Sequence, residues 1–122
     1  MRTLYFDTYA LLELVKGGAN YQKYSVDTVI VTSKLNLLEL HHVLFLREGK
    51  KFADETYDSF TSSTIEFDDI TLKKASELRA TIKKRNVSYI DCIGYILALS
   101  RGIPFLTGDT AFANMTGVEF VL

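Results

Sequence analysis

The sequence has 122 residues, 48% of them hydrophobic, which suits a single domain spanning residues 1–122 and leaves little material for a second core. Its 14 Lys and Arg residues nearly balance 15 Asp and Glu residues, giving a net charge of -1. This balance excludes a strongly basic nucleic-acid-binding protein, although local contacts with RNA remain open. The lone cysteine, Cys92, cannot form an intramolecular disulfide and is expected in the core. A reducing, cytoplasmic setting is therefore predicted. The longest strongly apolar stretch, residues 95–100, is too short to cross a membrane, so no span is predicted.

The first half of the chain predicts two strands, each followed by a helix. Residues 3–6 form a short β-branched and aromatic run that ends at Asp7, and apolar spacing then predicts a helix up to a glycine pair. Residues 28–32 form a continuous β-branched run typical of a strand buried in a parallel sheet. Ser33 is a natural N-cap for a long leucine-rich helix, which Gly49 ends.

The second half continues the alternation of helices and strands. Helices are predicted over residues 51–62, 71–85 and 89–100, and strands over residues 64–67, 103–107 and 118–122. This order predicts an α/β fold in which a central parallel sheet is flanked by helices, in three layers. Ligands of such folds bind beyond the carboxyl ends of the strands.

Four acidic residues are predicted at that edge of the sheet. Asp7 ends the first strand, and Asp109 lies two residues past the strand at 103–107. Glu39 lies early in the helix after the second strand, and Asp91 lies in the first turn of the helix that begins after Ser88. Converging carboxylates repel one another unless cations lie between them, and oxygen ligands suit Mg²⁺ or Mn²⁺.

Each acid also has an ordinary structural interpretation. Asp7 can be an N-cap, Asp91 fits a capping box with Ser88, and Asp109 can form an Asx turn. Glu39 is harder to explain in this way, because leucines surround it and an unpaired buried carboxylate is costly. Taken alone, Asp7, Asp91 and Asp109 are therefore weaker evidence for a metal site than Glu39 is.

The segments around these acids resemble the motifs of the PIN-domain family, and especially its VapC-like toxins. The matching segments, in order along nearly the whole chain, are residues 5–8, 37–40, 89–92 and 106–112. The resemblance implies that Asp7, Glu39, Asp91 and Asp109 bind Mg²⁺ or Mn²⁺ for RNA cleavage. It also implies that Thr107 orients the last acid.

One position departs from the family pattern. Many members carry a further acid just before the phenylalanine of the last motif, where this sequence has Ala111. A second metal position then lacks its usual ligand, and Asn114 is the candidate replacement. For a VapC-like toxin the resemblance further implies an antitoxin partner that covers the acidic pocket, an RNA substrate and a homodimer.

Other interpretations stay open at this stage. A non-catalytic protein-interaction module with the same fold would retain the acids without using them. Glu39 and His42 have the Glu-x-x-His spacing of half a di-iron site, but the sequence contains no second copy. Tyr21 and Tyr24 can stack on bases or pack in the core. Candidate phosphate contacts are Arg47, Lys50, Lys51, Lys83, Lys84 and Arg85.

Overall fold

A computed structural model of the chain describes residues 1–84 and 86–122 and shows a four-stranded parallel sheet with strand order β2-β1-β3-β4. Helices cover both faces, which confirms the predicted α/β fold with a central parallel sheet. The elements are β1 (Arg2–Phe6), α1 (Thr8–Lys16), β2 (Thr28–Val31), α2 (Lys34–Glu48), α3 (Lys50–Phe60), α4 (Asp69–Thr81), α5 (Tyr89–Arg101), β3 (Phe105–Thr107) and β4 (Val118–Phe120). Short 3₁₀ segments span Ala19–Ser25, Thr61–Ser63 and Thr110–Phe112.

The two central strands, β1 and β3, end side by side. Phe6 is in register with Leu106, and the backbone N–H of Asp7 donates to the carbonyl of Leu106 at 3.3 Å. Because the strands are parallel, their carboxyl ends lie at the same edge of the sheet. Asp7 and Thr107 are therefore neighbours, at the edge where the sequence predicted Asp7 and Asp109.

Side chains alternate across β1 and so contribute to two cores. Leu4 and Phe6 lie in the core formed with α1, α2 and the Ala19–Ser25 segment, whereas Tyr5 lies in the core formed with α4, α5 and β3. All three are fully buried. Cys92 is also fully buried, which confirms its predicted place in the core.

Helix ends follow the predicted capping residues. Ser33 and Ser88 cap α2 and α5 by accepting from backbone N–H groups, and Asp7 caps α1 in the same way. Gly17 ends α1 with a φ of 77°, a left-handed conformation that favours glycine. Two helices thus begin within one or two residues of the acidic positions.

The prediction of a strand at residues 64–67 is wrong. Only Thr64 pairs, in a single parallel bridge with Thr32, and the backbone N–H of Ile65 donates to the Thr32 carbonyl at 2.9 Å. The pairing stops there because the chain that follows Thr32 turns into α2, with Ser33 as its N-cap, so that residues 65–67 have no strand in register beside them.

Helix α4 both begins and ends earlier in the sequence than predicted. The predicted range of 71–85 becomes Asp69–Thr81. Ile82 adopts an extended conformation, and its carbonyl accepts from the side chain of Arg79 at 3.0 Å, which closes the helix end. Arg85, the predicted last residue, lies outside the described residues.

The 3₁₀ segment Ala19–Ser25 was not predicted. It places Tyr21 and Tyr24 at 0% and 4% exposure, in the core beside Phe6, so core packing is confirmed over base stacking for both. Within residues 1–84 and 86–122, every helix is too short or too polar to cross a bilayer.

Candidate metal centre

Asp7 is the most deeply buried of the four predicted acids, with only 2% of its surface exposed. One oxygen, Oδ1, accepts from the backbone N–H of Ala10 at 2.8 Å and so caps α1. The other, Oδ2, accepts from the hydroxyl of Thr107. Each carboxylate oxygen has two acceptor sites, so these bonds leave capacity on both oxygens for a cation.

Asp91 lies in the first turn of α5, held by a capping box. Its Oδ2 accepts from the backbone N–H of Ser88 at 3.0 Å, while the Ser88 hydroxyl accepts from the backbone of Asp91 at 3.1 Å. Asp109 follows β3, and its Oδ1 accepts from the backbone N–H of Ala111 at 2.9 Å. The capping and Asx-turn roles predicted for these acids are thus present, and each role fixes the direction of a carboxylate.

Glu39 is held differently from the other three acids. It lies half-buried on α2, and its Oε1 accepts from the hydroxyl of Thr8 at 2.6 Å. Thr8 is the first residue of α1 and follows Asp7 directly. Thr8 therefore links Glu39 of α2 to Asp7, the N-cap of α1.

The carboxylates are close enough to affect one another electrostatically. Burial raises the pKa of Asp7 to about 7, and the charges of Asp91 and Asp109 add to this effect, while hydrogen bonds from Thr107 and Ala10 oppose it. Burial also raises the pKa of Glu39 and of Asp91, and a neighbouring acid adds to the rise in each case. The structure thus brings the four acids to one edge of the sheet, as their charges on one another indicate.

These residues fit a hard divalent cation in donor chemistry. The donors are carboxylate oxygens from four different segments. Burial raises the pKa values of Asp7, Glu39 and Asp91, an effect that the charge of a bound cation would oppose. In the described part of the chain, no three Asp, Glu, His or Cys side chains are close enough to hold a metal ion as they stand. Enclosing a cation therefore requires rotation of some of these side chains.

Comparisons with known proteins decide the family. Residues 4–118 match the sequence profile of the PIN domain. The chain belongs to the PIN-domain family. No curated protein has a sequence that matches this chain.

Solved structures share the fold of this PIN domain at low sequence identity. VapC20 of Mycobacterium tuberculosis, a sarcin-ricin loop cleaving toxin, superposes with a TM-score of 0.78 and 19% identity, covering 98% of this chain and 99% of that one. A toxin-antitoxin complex from Klebsiella pneumoniae superposes with a TM-score of 0.76 and 18% identity, with 95% of each chain covered. VapBC2 from Rickettsia felis, bound to a DNA fragment from its promoter, superposes with a TM-score of 0.70 and 16% identity. The match covers 98% of this chain and 97% of that one.

Among the predicted basic residues, Lys84 lies at the acidic site of this PIN domain. Its Nζ is 3.7 Å from Oδ1 of Asp109, and it donates to the hydroxyl of Thr110. Lys50 instead pairs with Asp54 one turn along α3. Arg85 lies outside the described residues. Arg47, Lys51 and Lys83 are exposed.

The two histidines do not join the acids. His41 bonds to Asp54 at 2.7 Å and packs against Phe45 and Tyr57, and His42 is exposed on α2. The half di-iron spacing of Glu39 and His42 therefore gains no further histidine among the described residues. Asn114, proposed by sequence as a supporting ligand, is exposed in the turn after the Thr110–Phe112 segment.

The sequence prediction missed two polar residues beside the acids. Thr8 donates to Glu39, and Asn36 donates to Thr8 at 3.1 Å. A signal for Asn36 was available, because it is a polar residue three positions before Glu39 in a leucine-rich helix and so lies on the same helix face. Thr8 lies in the matched segment 5–8, but nothing in the sequence marked it as a partner of Glu39.

Proposed function

We propose that this PIN domain is a metal-dependent endoribonuclease that hydrolyses phosphodiester bonds of RNA with Mg²⁺ or Mn²⁺. The observation that carries the proposal is the gathering of Asp7, Glu39, Asp91 and Asp109 at the carboxyl edge of the sheet, where burial and the charge of a neighbouring acid raise the pKa values of Asp7, Glu39 and Asp91. Buried carboxylates without compensation are costly, and a divalent cation compensates them. The fold similarity to a toxin that cleaves the sarcin-ricin loop supports RNA as the substrate.

When bound, a divalent cation supplies Lewis-acid stabilisation of the phosphate and lowers the pKa of water. The residues of the chain hold and orient the site. Asp7 must lose its proton when it ligates a cation, and its pKa of about 7 makes this possible near neutrality. Thr107 keeps Oδ2 of Asp7 in place. Lys84 is the candidate contact for an RNA phosphate beside Asp109.

The biological role that we propose is the toxin component of a type II toxin-antitoxin system, acting in the cytoplasm. Two of the similar structures are a toxin-antitoxin complex and a VapBC2 assembly on promoter DNA. We accordingly propose an antitoxin protein as partner, and a homodimer of single-domain subunits as the active form. The antitoxin would cover the acidic edge and keep RNA away from it.

Cleavage of a mixed panel of structured and single-stranded RNAs tests the proposed activity. Nuclease-free protein is assayed with Mn²⁺, with Mg²⁺ and with chelator, beside Asp7→Asn. Asparagine can still accept from Ala10 and cap α1, so this variant is expected to fold and to lose cleavage. Asp68→Asn is the matched control, because Asp68 caps α4 in the same way outside the acidic group.

Cleavage that requires metal and the Asp7 carboxylate, and that survives in Asp68→Asn, supports the nuclease. A second candidate, a non-catalytic interaction module, is favoured by two observations: among the described residues no three acids stand close enough to hold a metal ion, and Ala111 takes the place of a further acid. Absence of cleavage together with absence of calorimetric Mn²⁺ binding would replace the nuclease proposal with that module. The toxin role is tested by growth arrest on expression of the wild-type protein, relieved both by Asp7→Asn and by co-expression of an adjacent small gene.

A further inference from the structure

Asn36 is a fully buried polar residue on α2, one helical turn before Glu39. Its Oδ1 accepts from the hydroxyl of Tyr5 at 2.5 Å and from the hydroxyl of Ser33 at 2.9 Å, and its Nδ2 donates to the hydroxyl of Thr8 at 3.1 Å. These partners come from β1, from the N-cap of α2 and from the start of α1. A buried amide is stable only when its polar atoms are paired, and here they join three segments beneath the acidic site.

The orientation of the Asn36 amide follows from counting protons. A carboxylate only accepts hydrogen bonds, so the single proton of the Thr8 hydroxyl is given to Oε1 of Glu39 at 2.6 Å. Thr8 must then accept from its other neighbour, which requires Nδ2 of Asn36 to face it. With the amide turned over, Thr8 would face a carbonyl oxygen and its proton would be drawn away from Glu39.

The far end of this chain of hydrogen bonds is anchored in the core. Tyr5 is fully buried and stacks on Phe105, with ring centroids 5.8 Å apart. A Cβ atom at Gly94 on α5 would lie 2.9 Å from Cε1 of Tyr5, so the ring occupies the space that this glycine leaves open. The Tyr5 hydroxyl therefore has little freedom, and neither does the amide that it holds.

Glu39 differs from the other acids in what holds it. Asp7, Asp91 and Asp109 each accept from a backbone N–H group, of Ala10, Ser88 and Ala111 respectively. Among the described residues, the hydrogen bond to Glu39 comes from the hydroxyl of Thr8, which can rotate. Only a second contact can stop that rotation, and Asn36 makes it.

We propose that Asn36 is a positioning residue that acts through Thr8: it directs the Thr8 proton toward Glu39 and so aims the Glu39 carboxylate at the metal position. This rests on the proposed function, because it takes Glu39 to be a metal ligand. Groups that orient metal ligands in this way contribute about 10-fold to 100-fold to metal affinity. Neither residue contacts the reacting atoms.

The test measures Mn²⁺ affinity from the electron paramagnetic resonance signal of free Mn²⁺, beside the thermal midpoint of the metal-free protein. Thr8→Val removes the hydroxyl with little change in shape, and Thr8→Ser retains it. Because Asn36→Leu alone would leave the Tyr5 hydroxyl unpaired, it is made together with Tyr5→Phe, which removes both partners of that bond. The same variants are assayed for the Mn²⁺ concentration that gives half-maximal RNA cleavage.

We expect Thr8→Val and Tyr5→Phe/Asn36→Leu each to weaken Mn²⁺ binding about 10-fold, with Thr8→Ser within about twofold of wild type. Saturating Mn²⁺ should restore most of the cleavage rate, and adding Thr8→Val to the Asn36 variant should cause little further loss, because both act on Glu39 by one path. Wild-type Mn²⁺ affinity in folded Thr8→Val or in the Asn36 variant overturns the inference and leaves the nuclease intact. A wild-type protein that neither binds Mn²⁺ nor cleaves RNA overturns the proposed function, and this inference with it.

Discussion

The Thr107 hydroxyl donates to Oδ2 of Asp7 across the ends of the two central strands. The same hydroxyl accepts from the backbone N–H of Asp109 at 3.0 Å. One oxygen atom thus joins the side chain of one predicted ligand to the backbone of another. Thr107 is fully buried, so water cannot replace either bond.

Substitution of Thr107 tests this connection. Thr107→Val keeps the shape and removes both hydrogen bonds, so we expect a loss of about 1–3 kcal/mol in the free energy of unfolding and weaker metal-dependent cleavage. Thr107→Ser keeps the hydroxyl and should retain most of the activity. Urea unfolding and the cleavage assay measure the two effects. Equal activity of the valine and serine variants would show that the hydroxyl does not orient the acids.

The raised pKa of Asp7 predicts how the stability of the metal-free protein depends on pH. Its folded value of about 7 lies above its ordinary value of 3.8, so between these values the folded protein holds a proton that the unfolded chain has lost. The stability that Asp7 contributes is therefore fully present below its ordinary pKa and is lost as pH rises toward 7. The pKa values of Glu39 and Asp91 are shifted in the same direction.

We expect the thermal midpoint of chelator-treated protein to be at least about 5 °C higher near pH 5.5 than near pH 8. Asp7→Asn has no such titration and should show a smaller difference. Saturating Mn²⁺ should raise the midpoint mainly at the higher pH, because the cation binds the ionised acids. A metal-free midpoint that increases steadily from low to high pH contradicts this assignment.

Much of the acidic site followed from the order of strands along the chain. Asp7 and Asp109 could be placed at one edge because both follow strands of a parallel sheet, and Asp91 because Ser88 marks the start of its helix. Local signals of this kind act over a few residues, and the structure agrees with them. The strand predicted at residues 64–67 shows their limit, since pairing also needs a neighbouring strand and the chain after Thr32 turns into α2 at Ser33.

The Asn36 network could not be derived from sequence, for a different reason. The position of Asn36 beside Glu39 is a local property of α2. Its partners Tyr5 and Thr8, however, lie 31 and 28 residues earlier in the chain. Which of the polar groups at the sheet edge it meets depends on how α1 and α2 pack. Hydrogen bonds between elements so far apart in the sequence leave no periodic pattern of residues from which they could be predicted.

Lys84 is expected to contribute to RNA binding by its charge. It lies 3.7 Å from Asp109, where an RNA phosphate would approach the acids. In the Asp7→Asn background, which we expect to bind RNA without cleaving it, Lys84→Ala should weaken RNA binding. It should also reduce the slope of log affinity against log salt concentration by about 0.7, the value for one contact with a single-stranded phosphate.

Lys23→Ala is the control for this loss of charge. Lys23 borders the same cavity as Met1 and Arg2, at the amino ends of the strands and away from the acids. Its removal should leave the salt slope unchanged. If Lys84→Ala and Lys23→Ala alter the slope equally, the effect of Lys84 is one of overall charge and not of contact at the site.

Gly108 allows Tyr9 to pack against the loop that carries Asp109. A Cβ atom at position 108 would lie 2.1 Å from Cε1 of Tyr9, too close for any side chain. Gly108→Ala must therefore displace either the Tyr9 ring, which also packs against Tyr21, or the backbone between Thr107 and Asp109. We expect a loss of about 1–3 kcal/mol in the free energy of unfolding and a weaker affinity for Mn²⁺.

A double-mutant cycle identifies the contact that is responsible. Tyr9→Leu removes the ring and leaves room for the added methyl group, so Gly108→Ala should cost much less in the Tyr9→Leu background than in the wild-type background. The coupling, measured by urea unfolding, is expected to reach at least about 1 kcal/mol. An equal cost in both backgrounds would mean that the backbone at Gly108, and not the approach of Tyr9, requires glycine there. In that case Mn²⁺ affinity would stay low in the double variant, whereas relief of the steric clash should restore it.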